Sequence, residues 1–204
     1  PGGANLVTGI ATANYDSVPL VCFTGQVARN LIGNDAFQEV DIVGITRSIC
    51  KYGITVQKRE DLGRIIKEAF YIARTGRPGP VVIDLPKDVM AELGSPEYPQ
   101  TVNIRGYKPN TEVHIGQLKR AMKMLNKAKK PLFLAGGGVK IANAVEIFTK
   151  IVDITKIPVV TTIMGRGSIP TNHPLFIGNL GMHGAYAANM AVSECDLLFS
   201  IGTR

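Results

Sequence analysis

Pro131-Leu-Phe-Leu-Ala-Gly-Gly-Gly138 decides the fold of the second half of the chain: a five-residue apolar run that stops on three glycines. A short run without polar alternation is a strand covered on both faces, as in a parallel sheet. Glycines at its end allow close backbone approach, and N–H groups at a helix start favour an anion such as a pyrophosphate. The same triplet also reads as a plain flexible turn. Outward from it come a helix near 143–156, a strand at 158–162, a long loop, a helix near 185–194 and a strand at 197–201. A helix at His114–Lys127, with Ile115, Leu118, Ala121, Met122 and Leu125 on one face, precedes the run. This β-α-β-α-β order is the first half of a Rossmann-like domain, whose ligands lie beyond the strand C-termini. The triplet is not a G-x-G-x-x-G, and the next strand ends in Thr161-Thr162 rather than an acidic residue. That disfavours NAD and leaves a flavin or another nucleotide open.

The first half reads the same way. Val18–Thr24 is an apolar run closed by Gly25, and Val81-Val-Ile-Asp-Leu85 is a buried strand ended by Pro86. Between them, Leu62, Ile65, Ile66, Ala69, Phe70 and Ala73 recur at helical spacing over 60–74, with Gly76 as the stop. Asp35 followed three residues later by Gln38 predicts a capping box at a helix start. Residues 91–110 hold Gly94, Pro96, Pro99, Gly106 and Pro109 without periodicity, a linker texture. The fold class is α/β with parallel sheets: one domain over 1–90, a linker over 91–110 and a second domain over 111–204.

Of 204 residues, 45% are apolar and 19% charged, which excludes disorder. The net charge is +7, but the densest basic cluster is only Lys127, Lys129 and Lys130, and aromatics are 6% with no Trp. A nucleic-acid footprint needs a basic stripe with interleaved aromatics, so nucleic acid is excluded as a partner. No apolar run approaches the ~18 residues of a membrane span. Cys22, Cys50 and Cys195 lack metal-ligand or disulfide spacing, and the inferred compartment is the reducing cytoplasm. The turn-like Pro1-Gly-Gly3 and Arg204, just past an apolar strand, read as the ends of an internal fragment.

Candidate site residues have modest readings on their own. Phe37 is a core residue and Gln38 a cap; Arg77, before Pro78-Gly-Pro80, is a solvated turn residue. Lys87 lies just past a strand's C-terminal end, a binding position. Gly181 and Gly184 flank Met182-His183, which suggests close backbone approach, although His183 alone reads as a surface histidine.

Several stretches together resemble the acetolactate (acetohydroxyacid) synthase large-subunit family. They are Phe23-Thr-Gly-Gln-Val27, Ile32-Gly-Asn-Asp-Ala-Phe-Gln-Glu39, Thr46-Arg-Ser48, Gly76-Arg-Pro-Gly-Pro80, Asp84-Leu-Pro-Lys-Asp88, Gly136-Gly-Gly138, Met164-Gly165 and Leu180-Gly-Met-His-Gly184. The match runs in order along the whole chain. It implies the later part of a pyrimidine-binding domain followed by half of a central FAD-binding domain. It also implies a transferase that condenses pyruvate, after decarboxylation, with a second 2-keto acid in branched-chain amino acid biosynthesis, using thiamine diphosphate, Mg²⁺ and FAD. The activating glutamate and the Mg²⁺–diphosphate site would lie outside this sequence. By resemblance, Gln38 faces the thiamine site, Phe37 and Met182 line the keto-acid pocket, and Lys87 stands at the access channel. Arg77, Gly136, Gly137, Gly138, Thr162, Ile163, Leu180, Gly181, Met182, His183, Gly202, Thr203 and Arg204 contact FAD, whose role is structural. Homodimers or homotetramers and a regulatory small subunit are the implied partners. Ala28 stands where many relatives have Pro. Glyoxylate carboligase, which lacks the activating glutamate, and a non-catalytic nucleotide-binding module are the alternatives.

Overall fold

The apolar run 80–86 becomes the middle strand of a three-stranded parallel sheet in the computed structural model, which describes residues 1–204. The chain divides into two compact units, Pro1–Glu112 and Val113–Arg204. In the first unit α1 (Gly2–Asp16) precedes β1 (Leu20–Gln26), and α2 (Ile42–Thr46) leads to β2 (Tyr52–Thr55). Then α3 (Leu62–Arg74), β3 (Pro80–Pro86) and α4 (Lys87–Ala91) follow. The strand order is β1-β3-β2. Helix α3 packs Ile65, Ala69, Ile72 and Ala73 with Val81 and Ile83, while Ile10 of α1 joins Cys22 and Val82. Fully burying a side chain such as Ile65 contributes about 1.5–3 kcal/mol.

Five details depart from the sequence reading. The opening Pro-Gly-Gly is no turn but the start of α1, because Ile10 and Ala13 are buried by packing despite the glycines. On α3, Phe70 is 45% exposed and Ile72 is buried in its place. Strand β1 is an edge strand whose burial alternates, with Phe23 and Leu20 exposed, rather than a run buried on both faces. No helix starts at Asp35: Asp35 and Gln38 both have positive φ, and the next helix along the chain, α2, is capped by Asp41, whose Oδ1 accepts the Gly44 N–H at 2.8 Å. Finally, residues 92–112 lie within the first unit. Tyr107 and Ile104 pack on its core, and Lys67 Nζ donates to Gln100 O at 2.9 Å.

The second unit contains α5 (Ile115–Lys127), β4 (Pro131–Ala135), α6 (Gly137–Ile141), α7 (Val145–Thr155) and β5 (Val159–Thr161). It continues with β6 (Phe176–Asn179), α8 (Tyr186–Glu194) and β7 (Leu197–Ile201). The four strands are parallel in the order β6-β5-β4-β7. In chain order within the unit this is 3-2-1-4, the first strands of the doubly wound sheet. Strand β6 lies inside the stretch read as a long loop; it has four residues and a register shift against Val159 and Val160, too short and irregular to show a period. The helix near 143–156 begins at Val145, and the glycine triplet opens its own short helix, α6. Phe133 packs edge-on against Phe148 and Phe199, at 5.9 and 5.8 Å between ring centroids. Leu125, Phe148 and Val152 cover one face of the sheet and Ala188 the other. No helix is long and apolar enough to cross a membrane.

Candidate functional site

Parallel strands carry all their C-termini to one edge, and in the second unit that edge is where the residues expected to touch FAD collect. Beyond Ala135, Thr161, Asn179 and Ile201 lie, respectively, Gly136–Gly138, Thr162-Ile163, Leu180–His183 and Gly202–Arg204. The order 3-2-1-4 puts the switch point between β4 and β7, the crevice where open α/β sheets take ligands. Here Gly136 N–H donates to Ile201 O and Gly138 N–H to Gly202 O, both at 2.9 Å. A Cβ on Gly138 would sit 2.7 Å from Gly202 Cα, and one on Gly202 2.7 Å from Val139 N. A Cβ on Gly136 would overlap Gly202 O. The triplet is therefore glycine because two loops of this chain press together there. Gly137 is set apart from its neighbours, since its Cβ would meet Met164 O at 3.2 Å.

Along the same edge, Thr162 N–H donates to Ala135 O at 3.0 Å and Thr162 Oγ1 accepts the Gly165 N–H at 3.0 Å. Ile163 is 71% exposed and Met182 92%. The turn at 180–184 is held by a residue that motif reading missed. Asn189, on α8, accepts the Gly181 N–H with its carbonyl and returns its amide N–H to Gly181 O, both at 3.0 Å. An Asn eight residues beyond a glycine has no sequence signature; only the α8 geometry brings it back.

In the first unit, Phe37, Gln38 and Lys87 lie past the C-termini of β1 and β3, whereas Arg77 precedes β3 at the opposite edge. The C-terminal edge is built on Asp84, 1% exposed, whose carboxylate accepts from Thr24 Oγ1 at 2.7 Å, Gln26 Nε2 at 3.0 Å and Thr55 Oγ1 at 3.3 Å. Phe37 is 89% exposed, against the core position expected from its type, and Gln38 is exposed beside it. Lys87 is the exposed first residue of α4. Next to it, Arg29 bonds Asp88 Oδ2 through Nε at 2.6 Å and also pairs with Glu92. The Arg29 guanidinium holds the Asp88 carboxyl below its ordinary value. Arg77 is no free turn residue: its Nε donates to Ser17 Oγ at 2.9 Å and its terminal nitrogen to Asn14 O, at the C-terminal end of α1. It lines a cavity of ≈ 340 Å³ with Lys51, Tyr107 and Lys108. No group of three or more His, Cys, Asp or Glu is arranged to hold a metal ion, and burial pushes the Cys22 and Cys50 thiols up.

Residues 118–204 match the model of the thiamine pyrophosphate enzyme central domain, and residues 1–45 that of the N-terminal TPP binding domain. The chain is 51% identical to a probable acetolactate synthase large subunit of Methanocaldococcus jannaschii, covering 100% of this chain and 35% of that one. It is 49% identical to the acetolactate synthase large subunit of Buchnera aphidicola subsp. Schizaphis graminum, over 100% of this chain and 36% of the relative. Against the acetolactate synthase isozyme 3 large subunit of Escherichia coli the identity is 47%, with the same coverage. The chain thus spans about a third of the length of the curated relatives it matches. Over its whole length the chain is a homologue of acetolactate synthase large subunits, with matches to the thiamine pyrophosphate enzyme N-terminal and central domains.

Proposed function

We propose that this chain forms the middle part of an acetolactate synthase large subunit, a carboligase that joins decarboxylated pyruvate to a second 2-keto acid. The observation that carries the reading is an overall identity of 47–51%, over alignments that cover the whole chain, to large subunits of that name. Residues 1–90 then belong to the pyrimidine-binding domain, 91–110 to a connecting segment that packs on its core, and 111–204 to the central domain. Thiamine diphosphate, when bound, supplies the carbanion chemistry, and this chain supplies orientation and exclusion. The exposed Phe37 and Gln38 line the keto-acid and thiamine side, and Lys87 attracts the anionic keto acids. Met182, exposed on its turn in the second unit, is assigned to keto-acid binding.

FAD fits the C-terminal edge of the second unit. Four parallel strands end there at a switch point, and neither Thr161 nor Thr162 offers the carboxylate that a nicotinamide dinucleotide's ribose takes. Gly136–Gly138, Thr162, Ile163, Leu180–His183 and Gly202–Arg204 would hold it. On the first unit, Arg77 lines a cavity with Lys51 and Lys108, whose positive charge suits an anionic group. Mg²⁺ would be held by residues outside this sequence; within it no group of three or more His, Cys, Asp or Glu is arranged for the ion. A homodimer or homotetramer with a regulatory small subunit, working in the cytoplasm, completes the reading.

The test is the full-length enzyme purified and supplied with thiamine diphosphate, Mg²⁺ and FAD. Acetolactate formed from pyruvate, with flavin absorbance in the purified protein, is expected. Flavin-free protein that makes no acetolactate would overturn the proposal.

A further inference from the structure

The turn that carries Phe37 and Gln38 has an unusual backbone. Gly33, Asp35 and Gln38 have φ of 85°, 53° and 62°, so two residues with side chains occupy the left-handed region within four positions. Such residues rarely go there unless the surroundings hold them. What holds these is the next residue in the chain. One carboxylate oxygen of Glu39 accepts the Gly33 N–H, and the other accepts the Ala36 N–H at 2.9 Å. Glu39 also donates its own N–H to Ala36 O at 3.0 Å. These bonds, Gly33 first and Ala36 second, favour the ionised carboxylate and hold it below its ordinary value. Behind the turn, Val40 O accepts from Gln26 Nε2 at 2.8 Å, and Gln26 is tied at 3.0 Å to the buried Asp84. One end of the turn is therefore fastened to the buried polar cluster, and the rest is folded over a carboxylate.

We infer that Glu39 is a positioning residue: its carboxylate holds the 33–38 turn in the backbone that presents Phe37 and Gln38, and so orients that pair toward the keto acid. What the pair faces rests on the proposed carboligase function; the clamp itself does not.

Two readouts in the full-length enzyme separate them. Hydrogen exchange over residues 31–40 should show the Gly33 and Ala36 amides protected in the wild type, exposed in Glu39→Ala and intermediate in Glu39→Gln. Turnover of pyruvate in Glu39→Ala should fall about tenfold to a hundredfold, mostly in kcat, as expected when reacting groups are misplaced rather than removed. Adding Asp35→Gly should restore much of it, because glycine takes a positive φ freely. Unchanged exchange in Glu39→Ala would overturn the clamp. Lost protection with turnover within about twofold of wild type would overturn the positioning role. Absence of rescue by Asp35→Gly would mean that Glu39 acts on the reactants directly, which also overturns it. A wild type that makes no acetolactate but shows the expected exchange pattern would retire the carboligase reading and support the clamp.

Discussion

At the C-terminal edge of the first sheet a buried carboxylate, Asp84, gathers Thr24, Gln26 and Thr55, while Arg29 joins Asp88 to Glu92. At the switch point on the same edge of the second sheet the contacts are backbone against backbone, with Gly136 and Gly138 pressed on Gly202. Both units are parallel sheets that, Arg77 apart, carry their family-matched residues past the strand C-termini, so topology does not separate them. The materials do. An edge built from side chains projects groups such as Phe37, Gln38 and Lys87, and it tolerates isosteres but titrates. An edge built from glycine leaves backbone for a ligand to lie along, rejects a Cβ where Gly136, Gly138 and Gly202 meet, and has no carboxylate side chain to protonate in acid.

The sharpest way to break this comparison is to add one methyl group to the glycine edge. Gly138→Ala puts a Cβ 2.7 Å from Gly202 Cα and 2.9 Å from Gly202 O, contacts that only a backbone shift relieves. The expected cost is about 3 kcal/mol or more, read as a lowered urea midpoint of the second unit. Gly137→Ala meets Met164 O at 3.2 Å and should cost no more than about 1 kcal/mol. In the full-length enzyme, Gly137→Val should lose bound flavin while staying folded by circular dichroism, and excess FAD should partly restore it. Equal stability for Gly138→Ala and Gly137→Ala would remove the packing explanation of the triplet.

Removing the side-chain keystone of the first unit should cost slightly less. Asp84→Ala takes a buried acceptor from three donors and leaves the Thr24 hydroxyl, buried with it, without that partner. A loss of about 2–3 kcal/mol is expected, and Asp84→Asn, which keeps an acceptor oxygen, should lose about half as much. If Asp84→Asn were as damaging as Asp84→Ala, the charge rather than the hydrogen-bond geometry would organise the edge.

How much of this the sequence shows depends on whether information is local. Helix α3 repeats its apolar residues over 13 positions, and β3 is an apolar run interrupted only by Asp84; both are legible because one period or one run settles them. Helix α1 is not, since Gly2, Gly3 and Gly9 lower its propensity and only Ile10 and Ala13 are buried. Strand β6, with four residues and a bulge, is hidden for lack of length. In the site, the family match picked out Phe37, Gln38 and the turn at 180–184, but not how they are held. Asp35 and Gln38 have capping-box spacing, yet the clamp is Glu39, and the choice between adjacent polar residues is made by φ angles that spacing does not encode. Asn189 reaches Gly181, 8 residues away, and Asp84 reaches Thr55, 29 away, and Gln26, 58 away, through tertiary contacts alone.

Lys87→Ala offers a gentler test of the side-chain edge. The exposed ammonium should steer anionic keto acids through its field, so its loss should raise the KM for pyruvate about threefold to tenfold at low ionic strength and blunt the salt dependence. Since Arg29 beside it is already paired with Asp88 and Glu92, it is poorly placed to substitute. An unchanged KM at low salt would leave Lys87 as a solvated helix residue.

Acid gives the smallest effect but the most direct contrast. Folding lowers the Glu39 carboxyl from its ordinary value of 4.5, chiefly through the Gly33 N–H, and the Asp88 carboxyl from 3.8, chiefly through Arg29. A carboxyl lowered on folding stabilises the folded state fully above its ordinary value, and that contribution is lost as pH falls through the folded one. The first unit's C-terminal edge should therefore be unaffected between pH 7 and 5, within about the precision of a melting curve, and loosen below about pH 4. The corresponding edge of the second unit, residues 136–138, 162–164, 180–184 and 202–204, contains no carboxylate side chain. Asp196, whose carboxyl is also lowered, by the Lys129 and Lys130 N–H groups, lies at the opposite edge of that sheet. Hydrogen exchange corrected for intrinsic rates should then show residues 31–40 losing protection on going from pH 5 to pH 3. Residues 136–138 and 202–204 should hold theirs. Simultaneous loss at both edges would mean that acid acts by global unfolding, and the contrast between a side-chain edge and a backbone edge would fail.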